Sequence, residues 1–244
     1  DTVGFRQMKH YTNKVVRHAW LMALTAGLAI GEVPYVWNEK QQALFKRPFD
    51  FHYQIGPYLY DAAIKSYQTG YPHTLTPLGI AYPKDANAAE PTHYQWMAGE
   101  SLLCAPLVKN HESSKMDLYL PEGLWFDYDT GKKYQGPKLL KNFAMPRDKT
   151  PCFVGGKGVL VTRESDEAPL TARIYPINKE TSSFVFTYPD GVSQSVITLN
   201  SWKGDPVVKN TTTGEVVPVQ VDEASGSVSF EILPENNYQL KSNN

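Results

Sequence analysis

Near residue 75 the chain changes its periodicity, and that change limits the folds open to it. Before this point apolar residues recur at three- and four-residue spacing, as on one face of a helix. After it, turns rich in Pro, Gly and Asp arrive about every ten residues, the spacing of short strands packed as sandwiches. A helical piece of this size needs another surface to cover its apolar faces. Three parts are therefore expected: residues 1–75, helical; 76–163, a proximal β-sandwich; and 164–244, a distal β domain.

In the first part Val16, Ala19, Trp20, Ala23 and Leu24 predict a helix over residues 13–29, with Thr12 or Asn13 as its cap. A short helix over 39–46 should stop before Pro48, because the residue preceding a proline avoids helical dihedrals. A further helix is expected over 57–68. Leu59, Ala63 and Tyr67 form its stripe, with Tyr60 and Ile64 beside it, Pro57 in its first turn and Gly70 at its exit.

In the β-rich part, strands are expected at 116–120, 125–128 and 159–162. After a loop over 164–169 they follow at 171–175, 184–188, 195–199, 216–221, 228–232 and 238–241. The clearest alternation puts Val228, Phe230 and Ile232 inward and Ser229 and Glu231 outward, after a hairpin connection at 222–226.

The net charge of -1 argues against nucleic acid as a partner, since phosphate binding needs a basic surface. No apolar run reaches the roughly 18 residues of a membrane span. The stretch from Thr25 to Ile30 is short and interrupted by Gly27. Six scattered histidines offer no metal-ligand spacing, and no cofactor is expected. The two cysteines make no disulfide framework. Cys104 sits in an apolar run and reads as a small hydrophobe, and a single bridge to Cys152 is left open. The 15 tyrosines and 5 tryptophans suit stacking on sugars, but equally suit a β-rich core. The chain opens on Asp1 rather than Met, as expected of a processed product or a piece of a longer polypeptide.

Several stretches, in order, resemble the C-terminal half of glycoside hydrolase family 31, which includes α-glucosidases and α-xylosidases. They are Gly56-Pro57-Tyr58-Leu59-Tyr60 with Gly70, then Pro77-Leu78, then Tyr82-Pro83-Lys84-Asp85. Gln95 and the run from Gly99 to Pro106 follow. Tyr119-Leu120-Pro121-Glu122-Gly123 with Trp125-Phe126-Asp127-Tyr128 and Thr130-Gly131 is the most specific match, and Tyr188-Pro189-Asp190-Gly191 comes last. The resemblance covers residues 50–162 well and the flanks weakly. It implies a mixed α and β fold: the helical remnant of a (β/α)8 barrel, then two β-sandwich-type domains.

It also implies a function. A retaining glycosidase holds two carboxyl groups about 5–5.5 Å apart, one as nucleophile and one as acid and base. In the resembled family both are aspartates on barrel strands upstream of the matched region, so no catalytic residue is assigned here. The segment Asp1-Thr2-Val3-Gly4-Phe5 resembles the end of a late barrel strand, where such barrels carry their sites. Asp1 and Phe5 are carried over as substrate-binding residues. The implied partners are an oligosaccharide or glycoside substrate and the rest of the catalytic barrel. The chain departs from the family at His52 and Thr76, where the family carries Arg, and lacks its sugar-contacting His near Gly31-Glu32. A distant branch, an altered substrate or a degenerate enzyme are the readings these departures open, and a non-catalytic carbohydrate-binding or scaffolding module is the alternative.

Five smaller features have local readings. Asp127 and Asp129 read as turn residues rather than an acid pair, because Asp favours local hydrogen bonds. Glu32 and Glu39 flank Trp37 and read as solvated carboxylates or pocket walls. Gly155-Gly156-Lys157-Gly158 reads as a hairpin turn, not a phosphate loop. His10 and His18 read as surface histidines, and Asn210-Thr211-Thr212 is a glycosylation sequon.

Overall fold

The computed structural model describes residues 12–25, 27, 37–90, 94–177, 180–202 and 204–242. Helix α1 spans Asn13–Ala23, and the Thr12 hydroxyl accepts from the Val15 N–H at 3.3 Å to cap it. It stops short of the expected end because the chain tightens there. The Leu24 N–H turns back to Leu21 O, and the Thr25 hydroxyl takes Met22 O before Gly27. Arg17, buried on this helix, donates to the carbonyls of Ser113, Met145 and Pro146, and the Trp20 indole donates to Arg147 O at 2.9 Å. The helix is thereby fixed to the β-rich part.

Helix α2 corrects the expectation of two separate helices. It runs unbroken over Glu39–Thr69, with Pro48 and Pro57 inside it. An interior proline costs roughly 3 kcal/mol of helix stability. Here both rings are buried, and Phe45, Ile55, Tyr58, Leu59 and Ala62 are buried on the same helix. Tertiary packing thus outweighs the local preference. Asn38 and Gln41 form a capping box at the start, and Gly70 closes the end at φ 73°, in the left-handed conformation that favours glycine.

The β-rich part forms three sheets. The first has six strands: β1 (Thr76–Pro77), β2 (Trp96–Ala98), β3 (Leu102–Cys104), β4 (Lys115–Asp127), β5 (Lys133–Ala144) and β6 (Cys152–Val154). Their order is β1-β2-β3-β6-β4-β5, and a one-turn helix α3 (Leu78–Ala81) follows β1. Both faces of this sheet are covered. Trp96, Ala98, Leu102, Cys104, Phe126, Cys152 and Val154 face a core shared with α2 and the other sheets. Met97, Leu103, Trp125 and Phe153 face a second core under α3 and Ala88. Strands buried on both faces lose the apolar/polar alternation. That is why β2, β3 and β6 escape the sequence pattern. The expected strands 116–120 and 125–128 are one strand, β4, whose pairing with β5 is irregular around Pro121 and Glu122. Trp125 Nε1 donates to Pro121 O at 2.8 Å across that irregularity.

The second sheet joins β7 (Val159–Thr162), β8 (Thr171–Ile174), β13 (Gln220–Val221) and β14 (Val228–Glu231) in the order β13-β14-β8-β7. The third joins β9 (Ser182–Thr187), β10 (Gln194–Leu199), β11 (Pro206–Asn210), β12 (Val216–Val217) and β15 (Tyr238–Ser242) in the order β12-β11-β15-β10-β9, with β10 and β15 parallel. The expected strand 216–221 is split by Pro218 into β12 and β13, which belong to different sheets. Val228, Phe230 and Ile232 are buried as the alternation requires. The hairpin of β7 and β8 crosses residue 163, and one core runs from α2 through all three sheets.

Gly99 reports on how closely α2 meets the first sheet. A Cβ there would lie 2.4 Å from the Tyr58 hydroxyl, and its φ is +60°. Gly99→Ala should cost about 3 kcal/mol, from overpacking plus backbone strain. Urea unfolding of the variant beside the native sequence measures it.

Candidate functional site

The most tightly organised polar centre lies on one face of α2, where Tyr58, Asp61 and Lys65 follow at three- and four-residue spacing. The Tyr58 hydroxyl donates to Ala98 O at 2.9 Å and accepts from the Ser101 N–H at 2.8 Å. Burial raises its pKa far beyond the ordinary phenol range. The Asp61 carboxylate, 2% exposed, accepts from the Thr187 N–H of β9 at 2.9 Å and from Lys65 Nζ at 2.8 Å. Lys65 also donates to Val185 O at 2.7 Å, pairs with Glu100 at 3.3 Å and lies 4.6 Å over the Phe184 ring. Burial pushes the Asp61 carboxyl above its ordinary range, although Lys65 and the Thr187 N–H pull it down. Asp61 and Glu100 share one cation, and Asp61 is closed off from solvent. The centre ties elements together and does not present an acid–base pair to a substrate. Sequence reasoning missed it, though a signal existed: Asp61 and Lys65 are the only Asp, Glu, Lys or Arg side chains between residues 51 and 69.

An open groove of about 510 Å³ lies on the first sheet between Tyr82, Lys84, Asp85, Asn87, Tyr119 and Glu122. The Tyr119 hydroxyl donates to Asp85 Oδ2 at 2.6 Å. Burial and this bond raise the Tyr119 pKa, and burial pushes Tyr82 up to about 12. Both phenols therefore stay protonated at neutral pH. The groove offers hydrogen bonds but no activated nucleophile.

The substrate-binding residues expected from the sequence, Asp1 and Phe5, lie outside the described residues, as do His10 and Glu32. Glu39 is exposed in the first turn of α2, where a carboxylate favours the helix dipole. Asp127 and Asp129 are turn residues: Asp127 Oδ1 accepts from the N–H groups of Asp129 and Thr130 and from the Thr130 hydroxyl, while Asp129 pairs with Lys149 at 3.3 Å. The glycine run 155–158 is a turn, but it joins strands of different sheets rather than a hairpin. Its glycines are demanded by contact, since a Cβ on Gly155 would meet the Trp125 ring at 2.4 Å. His18 is half-buried, and burial lowers its pKa. His52 Nδ1 meets Ala23 O at 2.9 Å, and Thr76 donates to Pro72 O at 2.7 Å. Asn210 is 7% exposed. Its amide nitrogen is bonded to Asn236 Oδ1, so the sequon is not presented for modification. Among the described residues no cluster of His, Cys, Asp or Glu is arranged to hold a metal ion, and no helix is long and apolar enough to cross a membrane.

Residues 71–160, the six-stranded sheet with its groove, match the family model described as the glycosyl hydrolase family 31 C-terminal domain. The chain is similar there to a family 31 C-terminal domain. Its likeness extends beyond that segment. The 1,6-alpha-glucosyltransferase of Sporosarcina globispora is 27% identical over 95% of this chain and 18% of its own length. Alpha-glucosidase 2 of Bacillus thermoamyloliquefaciens is 27% identical over 78% of this chain and 25% of its own. The fold matches a family 31 dextranase of Flavobacterium johnsoniae complexed with glucose, with a TM-score of 0.74 at 22% identity over 93% of this chain and 37% of that one. The chain thus spans a quarter or less of these two curated relatives.

The polar centre on α2 predicts a specific energetic pattern. Asp61→Ala leaves Lys65 buried beside an empty site and should cost about 3 kcal/mol. The double change Asp61→Leu with Lys65→Met removes both charges and should cost less than Asp61→Ala alone. Chemical denaturation of both variants tests the ordering.

Proposed function

We propose that this chain is the C-terminal segment of a retaining α-glycosidase that hydrolyses terminal α-glycosidic bonds of oligosaccharides, with both catalytic aspartates upstream of it. The observation that carries the reading is its share of its relatives. The chain aligns over 78% of its length with a protein named as an alpha-glucosidase and over 95% with one named as a glucosyltransferase, yet it spans only 25% and 18% of them. In this reading residues 1–75 close the catalytic barrel, 76–163 buttress it, and 164–244 form the distal β domain. Asp1 and Phe5 line the sugar pocket.

Helix α2 supports the placement. Its outer face carries Gly56, Tyr60, Ala63, Ile64 and Tyr67, with no charged side chain among them. Tyr60 is 46% exposed and Tyr67 is 93% exposed. A solvent-facing helix normally carries charge there. An uncharged stripe of small and aromatic residues suits packing against the rest of a barrel.

The 244-residue chain alone should be inactive on an aryl α-glucoside. A longer polypeptide that ends in it should hydrolyse the glycoside with retained anomeric configuration, followed by proton NMR. In that polypeptide Asp1→Ala or Phe5→Ala should lower kcat/KM by about tenfold or more. Cleavage by the isolated chain overturns the upstream placement of the catalytic aspartates, and a longer polypeptide that binds the glycoside without cleaving it overturns the reading in favour of a binding module or a degenerate enzyme. The isolated chain should also self-associate through the α2 stripe, and Tyr60→Lys with Ile64→Lys should return it to a monomer in sedimentation velocity.

A further inference from the structure

Cys104 and Cys152 are the only cysteines of the chain, both carry free thiols, and they stand opposite each other where β3 pairs with β6. Antiparallel pairs alternate between hydrogen-bonded and non-hydrogen-bonded positions. The Ala105 N–H donates to Pro151 O, and the Gly155 N–H donates to Ser101 O. Positions 105/151 and 101/155 are therefore hydrogen-bonded pairs, and Cys104/Cys152 falls between as a non-hydrogen-bonded pair. At such a pair the Cα atoms lie about 4.5 Å apart and the side chains lean together, at the short end of the separations a disulfide bridges. Both side chains belong to the same buried face.

We infer that Cys104 and Cys152 are a cross-strand disulfide site, closed by exchange with a low-molecular-weight disulfide such as oxidised glutathione. The thiolate of one cysteine attacks a glutathione sulfur, forming a mixed disulfide and releasing one glutathione thiolate. The second cysteine thiolate then attacks the protein sulfur of that mixed disulfide and releases the other glutathione. Two protein thiols are oxidised, one small disulfide is reduced to two thiols, and the two protein protons end on glutathione.

The bond would tie β3 to β6 in the middle of the six-stranded sheet and enclose the β4–β5 hairpin in its loop. Cys104 is 0% and Cys152 3% exposed, so exchange in the folded chain waits on local opening, while refolding chains meet the reagent freely. The hydrogen bond from Cys104 and burial hold the Cys152 thiol well above its ordinary range, which slows the native reaction further. A bridge at the short end of the allowed separations is also readily reduced, the character of a switchable bond.

The test is to refold the full chain in a buffer of reduced and oxidised glutathione, then alkylate it under denaturing conditions and weigh it. The expected product has lost two hydrogens, takes up no alkylating reagent and carries no glutathione. It should melt roughly 5 °C above the same sample reduced with dithiothreitol. Cys104→Ser and Cys152→Ser should show no difference between oxidised and reduced melting temperatures. Two alkylatable thiols after refolding, glutathione adducts on both cysteines, or a bridged chain that melts at or below the reduced one would overturn the inference.

Discussion

One face of helix α2 joins the structure. Within two turns it presents Tyr58, which binds the Ala98–Ser101 turn of the first sheet, and Asp61 with Lys65, which bind the β9 strand of the third. Leu59 and Ile55 add apolar contact to the same core. The helix also explains a local anomaly. Two prolines sit in its interior, each a liability on propensity alone, yet both are buried. The helix persists because its inner face is held along its length by tertiary contacts.

The nature of that hold matters. Burial of Asp61 costs more than its partners return, as the raised carboxyl pKa indicates. The pair with Lys65 is therefore a weak source of net stability and a strong source of specificity. It has one register: shift α2 by one residue, and Asp61 leaves the Thr187 N–H while Lys65 leaves the Val185 carbonyl. An apolar face would tolerate such slippage. A buried charge that must be matched does not.

Much of this was legible in the sequence, and the illegible parts have physical causes. The inward set Val228, Phe230 and Ile232 could be read because one face of that strand is buried and the other is not. The run Leu102-Leu103-Cys104 could not, because both faces are covered and alternation vanishes. Pro48 and Pro57 were read as helix punctuation, since local rules take no account of the core that overrides them. The strand over 216–221 looked continuous, but Pro218 hands the chain from one sheet to another. The turn role of Asp127 followed from local chemistry, and its carboxylate does accept the N–H groups two and three residues on. The Asp61–Lys65 centre needed the third dimension. The partners of the pair are a main-chain N–H and a carbonyl more than a hundred residues away, which leave no mark in composition or spacing.

The continuity of the core sets how the parts of the chain can move. Sheets joined only by a linker swing independently, but here β7 and β8 pair across residue 163 and the same buried cluster contains Tyr58, Phe126, Ile174 and Phe186. A displacement of the third sheet therefore reaches α2 through packed side chains and through Asp61. On the opposite side of that helix lies the uncharged stripe from Gly56 to Tyr67. Whatever packs on the stripe inherits the stiffness of three sheets behind it. A catalytic centre needs its groups held within a fraction of an ångström. In the reading proposed above, the three sheets would serve such a centre by holding one helix still.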